Sequence, residues 1–263
     1  MRDGHIHSPY CPHGSDDTFE DYINKAINTR LKEITFTEHL PLPNNFIDPS
    51  PNQDSGMDEG VILDYFNELY RLKDKYKNKI KINVGVEVDY IEGYENEIKE
   101  MLNKYGKYIE DSILSVHMLK IKDKYCCMDY SPSEFGKIIN SLGSIKDVYN
   151  KYYETLKLAI NSDLGEYKPK RIGHLNLVRK FNKVYPYDYK GNELLEEIVI
   201  LIKKNKYEVD FNVSGIRKKY CKEPYIHDYL LDLIGKYNIP IILGSDSHCC
   251  RDIGSTQEYT SNI

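Results

Sequence analysis

The 263-residue chain has no tryptophan, no Cys-x-x-Cys spacing and no long apolar run. Its most apolar stretch, Ile198–Ile202, is far shorter than the roughly 20 residues of a membrane-spanning helix. The six cysteines, at positions 11, 126, 127, 221, 249 and 250, form two adjacent pairs and two singles. This is not the spacing of a disulfide framework or a structural zinc site. No apolar signal segment opens the sequence, so we expect reduced thiols in a cytoplasmic protein without a membrane segment.

The chain also lacks a basic surface, since 36 Lys and Arg residues stand against 41 Asp and Glu residues, a net charge of −5. No basic stripe is dense enough to follow a nucleic-acid backbone, which argues against a nucleic-acid partner. Hydrophobic residues make up 40% of the chain, enough for a large core. No repeat, low-complexity segment or Gly/Ser linker divides the sequence, and we predict a single domain over residues 1–263.

Short β-branched runs alternate with longer amphipathic stretches. The predicted strands are Arg2–His5, Glu33–Thr37, Lys81–Glu87, Ser112–Val116, Arg171–His174, Tyr207–Val213 and Pro240–Gly244. The predicted helices are Asp17–Leu31, Val61–Tyr76, Tyr94–Tyr105, Ile145–Ile160, Asn192–Lys204 and Ile226–Tyr237. This alternation indicates an α/β fold with a parallel sheet. A closed TIM-like barrel is favoured because no Gly-x-Gly-x-x-Gly turn follows a strand. Pro41–Met57, with four prolines, predicts a long loop of the kind that covers active sites.

Seven of the eight histidines and two carboxylates lie at or just beyond the C-terminal end of a predicted strand. In a barrel those ends converge on one face, where sites are built. One such histidine is more often structural, but crowding nine titratable groups is costly unless a cation neutralises them. The predicted metal ligands are His5, His7, His13, His39, Glu87, His117, His174, Asp246 and His248. Nine imidazole and carboxylate ligands suit two or three divalent ions of zinc, iron or manganese.

The ordered motifs resemble those of the polymerase-and-histidinol-phosphatase (PHP) superfamily. They are His-x-His at 5–7, Pro-His-Gly at 12–14, Glu-His at 38–39, Gly-Val-Glu at 85–87, Ser-Val-His at 115–117, Gly-His at 173–174 and Ser-Asp-Ser-His at 245–248. Within that superfamily, the segments at 11–15, 36–43 and 173–181 are similar to PHP-type histidinol-phosphate phosphatases. The resemblance runs from residue 3 to about residue 254.

This resemblance implies a distorted (β/α)7 barrel with a trinuclear metal centre at the C-terminal ends of the strands. It assigns His5, His7, Glu87 and Asp246 to one ion, Glu87, His117 and His174 to a second, and His13, His39 and His248 to a third. Almost no residues precede Asp3, and relatives usually continue past the equivalent of Ile263 into a closing helix. We therefore expect weaker barrel closure, or closure by another copy of the chain in a homo-oligomer.

The implied enzyme is a phosphoric monoester hydrolase that converts L-histidinol phosphate to L-histidinol and phosphate in histidine biosynthesis. A hydroxide that bridges two ions would attack phosphorus. Glu87, Asp246 and His248 are the predicted catalytic residues: Asp246 would orient the nucleophile or move its proton, and His248 is the next candidate for proton transfer. Arg179 and Arg217 are predicted to bind the phosphate, because guanidinium groups match phosphate oxygens bidentately.

Other functions stay open at this point. Another PHP phosphoesterase would act on nucleotides, phosphotyrosine or sugar phosphates. A non-catalytic PHP module is disfavoured by the complete ligand set and the absence of a polymerase domain. An amidohydrolase would need a strand-end lysine for a bridging carbamate, where this chain has Glu87. His227 matches no motif, and no role is assigned to Ser8, Glu38, Asp89 and Tyr90.

Overall fold

The computed structural model of the chain describes residues 1–259. Its strands are β1 (Arg2–Ile6), β2 (Glu33–His39), β3 (Lys81–Asp89), β4 (Asp111–Ser115), β5 (Met118–Ile121), β6 (Lys124–Cys127), β7 (Arg171–Ile172), β8 (Glu208–Asn212) and β9 (Ile241–Gly244). Seven of them form one sheet in the order β1-β2-β3-β4-β7-β8-β9, and every pairing in it is parallel. All seven predicted strands are present, although Arg171–His174 is a strand only at its first two residues.

The helices are α1 (Phe19–Asn28), α2 (Ile62–Tyr76), α3 (Glu95–Tyr105), α4 (Pro132–Leu142), α5 (Ile145–Asn161), α6 (Glu193–Lys204), α7 (Ser214–Arg217) and α8 (Tyr229–Lys236). Short 3₁₀ turns occupy Glu59–Val61, Gly106–Tyr108, Leu177–Phe181, Cys250–Asp252 and Gln257–Tyr259. The predicted loop Pro41–Met57 contains no helix or strand. Three features were not predicted: the antiparallel hairpin β5–β6, helix α4 and the single-turn helix α7. The start signal of α4 was nevertheless present, since the Ser131 side chain caps it and Pro132 is its first residue.

The first and last strands of the sheet meet within the chain. The backbone N–H of Asp246 donates to the carbonyl of His5 at 2.8 Å, and that of His7 donates to the carbonyl of Ser247 at 3.0 Å. A parallel bridge also joins Ile6 to Ser247. The sheet is therefore a nearly closed barrel of seven parallel strands, which confirms the predicted α/β barrel fold, and its two edges are joined without a second copy of the chain.

The N-terminal end of the barrel is occupied by paired charges. Arg171, only 2% exposed, donates from Nη2 to Asp111 Oδ2 at 2.8 Å, and Arg2 pairs with the same carboxylate. These residues begin β7, β4 and β1, so this end of the barrel is filled by structural ion pairs. Space for a ligand is left at the opposite end, where the strands finish.

Two predictions concern the chain as a whole. No helix among residues 1–259 is long and apolar enough to cross a membrane. The single domain over residues 1–263 stays a prediction, and its last four residues lie outside the described ones.

The packing of β3 between its neighbours can be tested at Gly85. A Cβ there would lie 2.7 Å from the carbonyl oxygen of Phe36 and 2.8 Å from that of Asp111, on the two flanking strands. Because those backbones cannot yield without separating the strands, we expect Gly85→Ala to lower the free energy of unfolding by about 2 kcal/mol or more. The measurement is urea unfolding followed by circular dichroism.

Gly235 in α8 provides the matched control, because a Cβ there would meet nothing within 4 Å. Gly235→Ala should leave stability unchanged or raise it by up to about 1 kcal/mol, since alanine favours the helix. If both alanine variants had the same stability as the original chain, the close approach at Gly85 would be disproved.

Candidate metal centre

The strand ends open into one cavity of about 350 Å³. Parallel strands finish on one face, so the residues at and beyond their ends surround the same space. Register adds to this proximity, because His39 and Glu87 are directly paired across β2 and β3. The structure brings all nine predicted ligands into one connected cluster: His5, His7, His13, His39, Glu87, His117, His174, Asp246 and His248.

Glu87 lies at the centre of the cluster and is 1% exposed. Its Oε2 is 3.4 Å from Nε2 of His5 and 3.5 Å from Nε2 of His7. Its Oε1 is 2.9 Å from Nε2 of His174 and 3.8 Å from Nε2 of His117. Oε2 also lies 3.4 Å from Nδ1 of His39, so each oxygen of this carboxylate faces a different set of imidazoles. This arrangement suits a carboxylate that bridges two metal ions.

Asp246 approaches the same group from the other edge of the barrel. Its Oδ1 lies 3.1 Å from Nε2 of His7, while Oδ2 accepts hydrogen bonds from Asn212 at 3.1 Å and Ser214 at 2.9 Å. The backbone of Asp246 is left-handed, with φ of 51°, a conformation that aspartate tolerates better than most residues. Two residues earlier, a side chain at Gly244 would lie 2.1 Å from Asp210 Oδ1. Glycine at position 244 therefore leaves room for the Asp210 side chain inside the barrel. The turn that follows directs Asp246 into the cluster.

His13 and His248 face each other at the outer side of the cluster. Their Nε2 atoms are 3.2 Å apart. Nδ1 of His13 donates to the carbonyl of Asp54 at 2.9 Å, and Nδ1 of His248 donates to the carbonyl of Asp246 at 3.2 Å. Carbonyl oxygens only accept, so each neutral ring presents a lone pair on Nε2. Two facing lone pairs repel unless a proton or a metal ion lies between them.

Buried carboxylates outside the cluster orient three further imidazoles. Nδ1 of His5 donates to Asp210 at 2.7 Å, and Nδ1 of His7 donates to Glu38 at 3.1 Å. Nδ1 of His117 donates to Asp89 at 2.5 Å. A histidine that donates from Nδ1 to a carboxylate is fixed in the tautomer that offers Nε2 to a metal, and it becomes a stronger ligand.

These carboxylates were not recognised from the sequence. From the sequence alone, no role was assigned to Glu38 or Asp89, and Asp210 was not among the candidate residues. The available signal for Asp210 was the alternation of polar and apolar residues along β8, which places this acid inside the barrel. Cys11 was also passed over, although its buried thiol lies within 4.8 Å of the ligand nitrogens of His13 and His248.

The chemistry of the cluster fits bound metal ions. Nε2 of His5, Nε2 of His7 and Nδ1 of His39 are buried without a hydrogen-bond partner, which is costly for polar atoms. Burial lowers the pKa of His5, but Asp210, Glu87 and Asp246 outweigh it and raise that pKa to about 10. Burial and the charge on His7 lower the pKa of His39 to about 3. The acidic groups thus attract positive charge that protons on every ring cannot supply, whereas metal ions can.

The two arginines predicted to bind phosphate do not line the cavity. Arg179 pairs with Glu223, and its guanidinium lies 4.6 Å from the ring centroid of Tyr189. Nε of Arg217 pairs with Asp252 at 2.9 Å, and its Nη2 donates to the carbonyl of Ser245 at 2.7 Å. Both guanidinium groups hold neighbouring segments together outside the cavity lining, and phosphate binding by Arg179 and Arg217 stays a prediction.

The residues that directly follow the two arginines, Lys180 and Lys218, line the cavity instead. Each pair lies in or at the end of a short helical turn, where a shift of one residue rotates a side chain by about 100°. Nζ of Lys180 donates to Asp129 at 2.7 Å. Lys218 has no ion pair within 4 Å among residues 1–259, and burial together with the charge on Lys180 lowers its pKa. Lys218 is therefore a cation available to an anionic ligand.

Comparison with known proteins agrees with this geometry. The chain matches the PHP domain family over residues 3–214. It is 44% identical to the histidinol-phosphatase of Bacillus subtilis (strain 168), over 98% of this chain and 97% of the relative. A crystal structure of a candidate histidinol phosphatase from Listeria monocytogenes is 33% identical, with a TM-score of 0.95 over 100% of both chains. That of histidinol phosphate phosphatase from Lactococcus lactis, complexed with zinc, L-histidinol and phosphate, shares the fold at 20% identity, with a TM-score of 0.71 over 99% of this chain and 92% of that one.

Asp210 provides a test of how the imidazoles are oriented. Asp210→Asn keeps an oxygen that can accept from His5 but removes the charge that strengthens His5 as a ligand. We expect zinc affinity to fall about 10- to 100-fold, measured by competition with a chromophoric chelator. The control is Asp163→Asn, which removes an exposed carboxylate that pairs with Lys99 away from the cavity. Unchanged affinity in Asp210→Asn would refute the orienting role.

Proposed function

The chain belongs to the PHP domain family, and from that premise we propose that it is a histidinol-phosphatase, which hydrolyses L-histidinol phosphate to L-histidinol and phosphate. The observation that carries the proposal is the buried Glu87 carboxylate in the cavity lining, with imidazoles at both of its oxygens. The histidinol-phosphatase of Bacillus subtilis, 44% identical over nearly the whole chain, supports the substrate. The Lactococcus lactis enzyme supports it as well, since its ligands L-histidinol and phosphate are the products of this reaction.

The cluster would hold two or three divalent ions, and the Lactococcus lactis complex with zinc supports zinc as their identity. The ligands are those predicted from the sequence: His5, His7, His13, His39, Glu87, His117, His174, Asp246 and His248. When bound, the ions neutralise the phosphoryl dianion and lower the pKa of water, which supplies the nucleophile. Glu87 would be shared between the ions, and the imidazoles found at both of its oxygens support that role.

Asp246 is the residue that orients the attacking water, accepts its proton at Oδ1 and returns that proton to the leaving oxygen of L-histidinol. Bonds from Asn212 and Ser214 hold Oδ2, so the carboxylate needs no reorganisation during the reaction. His248 acts as a ligand rather than as the acid for the leaving group. Its Nδ1 is engaged by the Asp246 carbonyl and its Nε2 faces His13, so neither nitrogen is free to deliver a proton.

Lys180 and Lys218 bind the phosphoryl oxygens in place of the two arginines. Lys218 has no carboxylate within 4 Å among the described residues, so an incoming phosphate does not have to displace a partner. Lys180 is paired with Asp129 at 2.7 Å, which fixes its position on the cavity wall. Placed on the wall above the metal ligands, both ammonium groups would attract a dianionic ester and neutralise charge that develops in the transition state.

A cytoplasmic location goes with this function. All six cysteines are free thiols, and two of them, Cys11 and Cys221, are buried. Free thiols persist in reducing compartments.

The proposed function is tested with purified, metal-loaded protein assayed against L-histidinol phosphate, a nucleoside monophosphate, phosphotyrosine and a sugar phosphate. We expect the highest kcat/KM on L-histidinol phosphate. Glu87→Ala should reduce the rate to background, because the carboxylate that faces five imidazoles is lost. Faster turnover of a nucleotide or of phosphotyrosine would overturn the substrate assignment.

Lys218 provides a second test of this site. Lys218→Met should lower kcat/KM about 10- to 100-fold, the usual effect of losing a hydrogen bond to a charged group. The bound metal content should not change, because no hydrogen bond or ion pair within 4 Å joins Lys218 to a predicted ligand among residues 1–259. Lys219→Met, an exposed neighbour outside the cavity lining, is the control and should match the original enzyme. Unaltered kinetics in Lys218→Met would rule out its contact with phosphate.

A further inference from the structure

One carboxylate in the cavity lining is left without a basic partner. Four carboxylates line the cavity: Asp54, Glu87, Asp129 and Asp246. Glu87 and Asp246 face imidazoles, and Asp129 pairs with Lys180. Asp54 has no ion pair within 4 Å among residues 1–259. A half-buried, uncompensated carboxylate beside a phosphate-binding site is unfavourable for an anion alone and favourable for a ligand that also carries a positive charge.

The position of Asp54 is set before any ligand arrives. Asp48 fastens the loop on both sides of it, accepting from the backbone N–H of Ser50 at 2.8 Å and of Ser55 at 2.9 Å. The carbonyl of Asp54 accepts from Nδ1 of His13 at 2.9 Å. Asp54 is thus attached through its backbone to one of the predicted metal ligands. Because the loop is already ordered, binding does not include the entropy cost of ordering it.

The side chain of Asp54 keeps most of its capacity to accept hydrogen bonds. The hydroxyl of Ser50 donates to Oδ1 of Asp54 at 3.5 Å, and Nδ2 of Asn52 donates to Oδ2 at 3.4 Å. Both are long for hydrogen bonds. A cation that approaches through the cavity can therefore be bound without breaking a strong existing contact.

The charges of the proposed substrate match this arrangement. L-Histidinol phosphate is the phosphate ester of a 2-amino alcohol, with its ammonium group on the carbon next to the ester CH2. Lys180, Lys218 and the metal ligands surround the phosphoryl end, and Asp54 lies beside His13 at the edge of that same space. We propose that Asp54 binds this ammonium group and makes the site selective for phosphate esters of 2-amino alcohols. The inference rests on the proposed function and extends it to the basis of substrate selection.

The test compares two esters that differ only in the ammonium group, O-phosphoethanolamine and ethyl phosphate, together with L-histidinol phosphate. In Asp54→Asn we expect kcat/KM to fall about tenfold or more for both amino esters and to stay within about twofold for ethyl phosphate. The fall should appear mainly in KM. Asp54→Glu, which keeps the charge, should recover part of the selectivity.

Bound zinc is measured in every variant. The contact of Asp54 with His13 uses the backbone carbonyl, so the asparagine variant should bind as much metal as the original protein. Asp16→Asn is the matched control: it removes the same charge three residues after His13, at an exposed position outside the cavity lining. It should leave the preference for amino esters intact.

The inference is overturned if Asp54→Asn keeps the original ratio of rates on the two simple esters. It is also overturned if both esters slow equally with loss of zinc, because Asp54 would then serve only to position His13. These results are separate from a failure of the proposed function. If the original enzyme preferred another phosphate ester to L-histidinol phosphate, the function would be wrong, while the ethanolamine and ethyl pair would still decide whether Asp54 binds an ammonium group.

Discussion

The central interaction of this protein is the contact of one buried carboxylate with imidazoles on every side. The two oxygens of Glu87 lie within 4 Å of nitrogens from five histidines: His5, His7, His39, His117 and His174. Such crowding is stable only when positive charge compensates it. The barrel supplies the crowding, because parallel strands finish on one face. The outer carboxylates then fix the tautomers, so that the rings present lone pairs rather than protons to the centre.

Metal binding and folding are coupled by this arrangement. In the absence of an ion, Asp210 and the inner acids hold the pKa of His5 near 10, while burial and His7 push that of His39 down to about 3. Neighbouring rings therefore cannot all be protonated, and an ion replaces an unfavourable distribution of protons. The apolar shell of helices limits the alternatives, since the rings have little room to turn away. Part of the binding free energy of the ions is thus also stabilisation of the barrel.

The sequence predicted the strands and the ligand cluster well, because both depend on local order along the chain. A histidine directly after a β-branched run lies at a strand end. In a parallel barrel all strand ends lie on one face, so these histidines come together. The hairpin β5–β6 was not predicted, because its two strands have only four residues each and their sequence resembles a loop. Lys180 and Lys218 were not singled out, because side-chain direction within one helical turn depends on tertiary packing. Asp210 was missed because burial of a strand acid becomes visible only in the closed barrel.

The proposed functions assign catalysis and substrate selection to different parts of the chain. The predicted ligands come mostly from strand ends, whose positions are fixed by the sheet, whereas Asp54 comes from the long loop and Lys218 from the end of α7. The residues of the cavity wall can therefore be substituted while the predicted ligands at the strand ends keep their positions. His13 limits this independence, because its Nδ1 is bonded to the Asp54 carbonyl. If Asp54 binds the ammonium group as proposed, a change in the loop that keeps this bond alters selectivity alone. A change that shifts the backbone of Asp54 also turns His13, a predicted metal ligand.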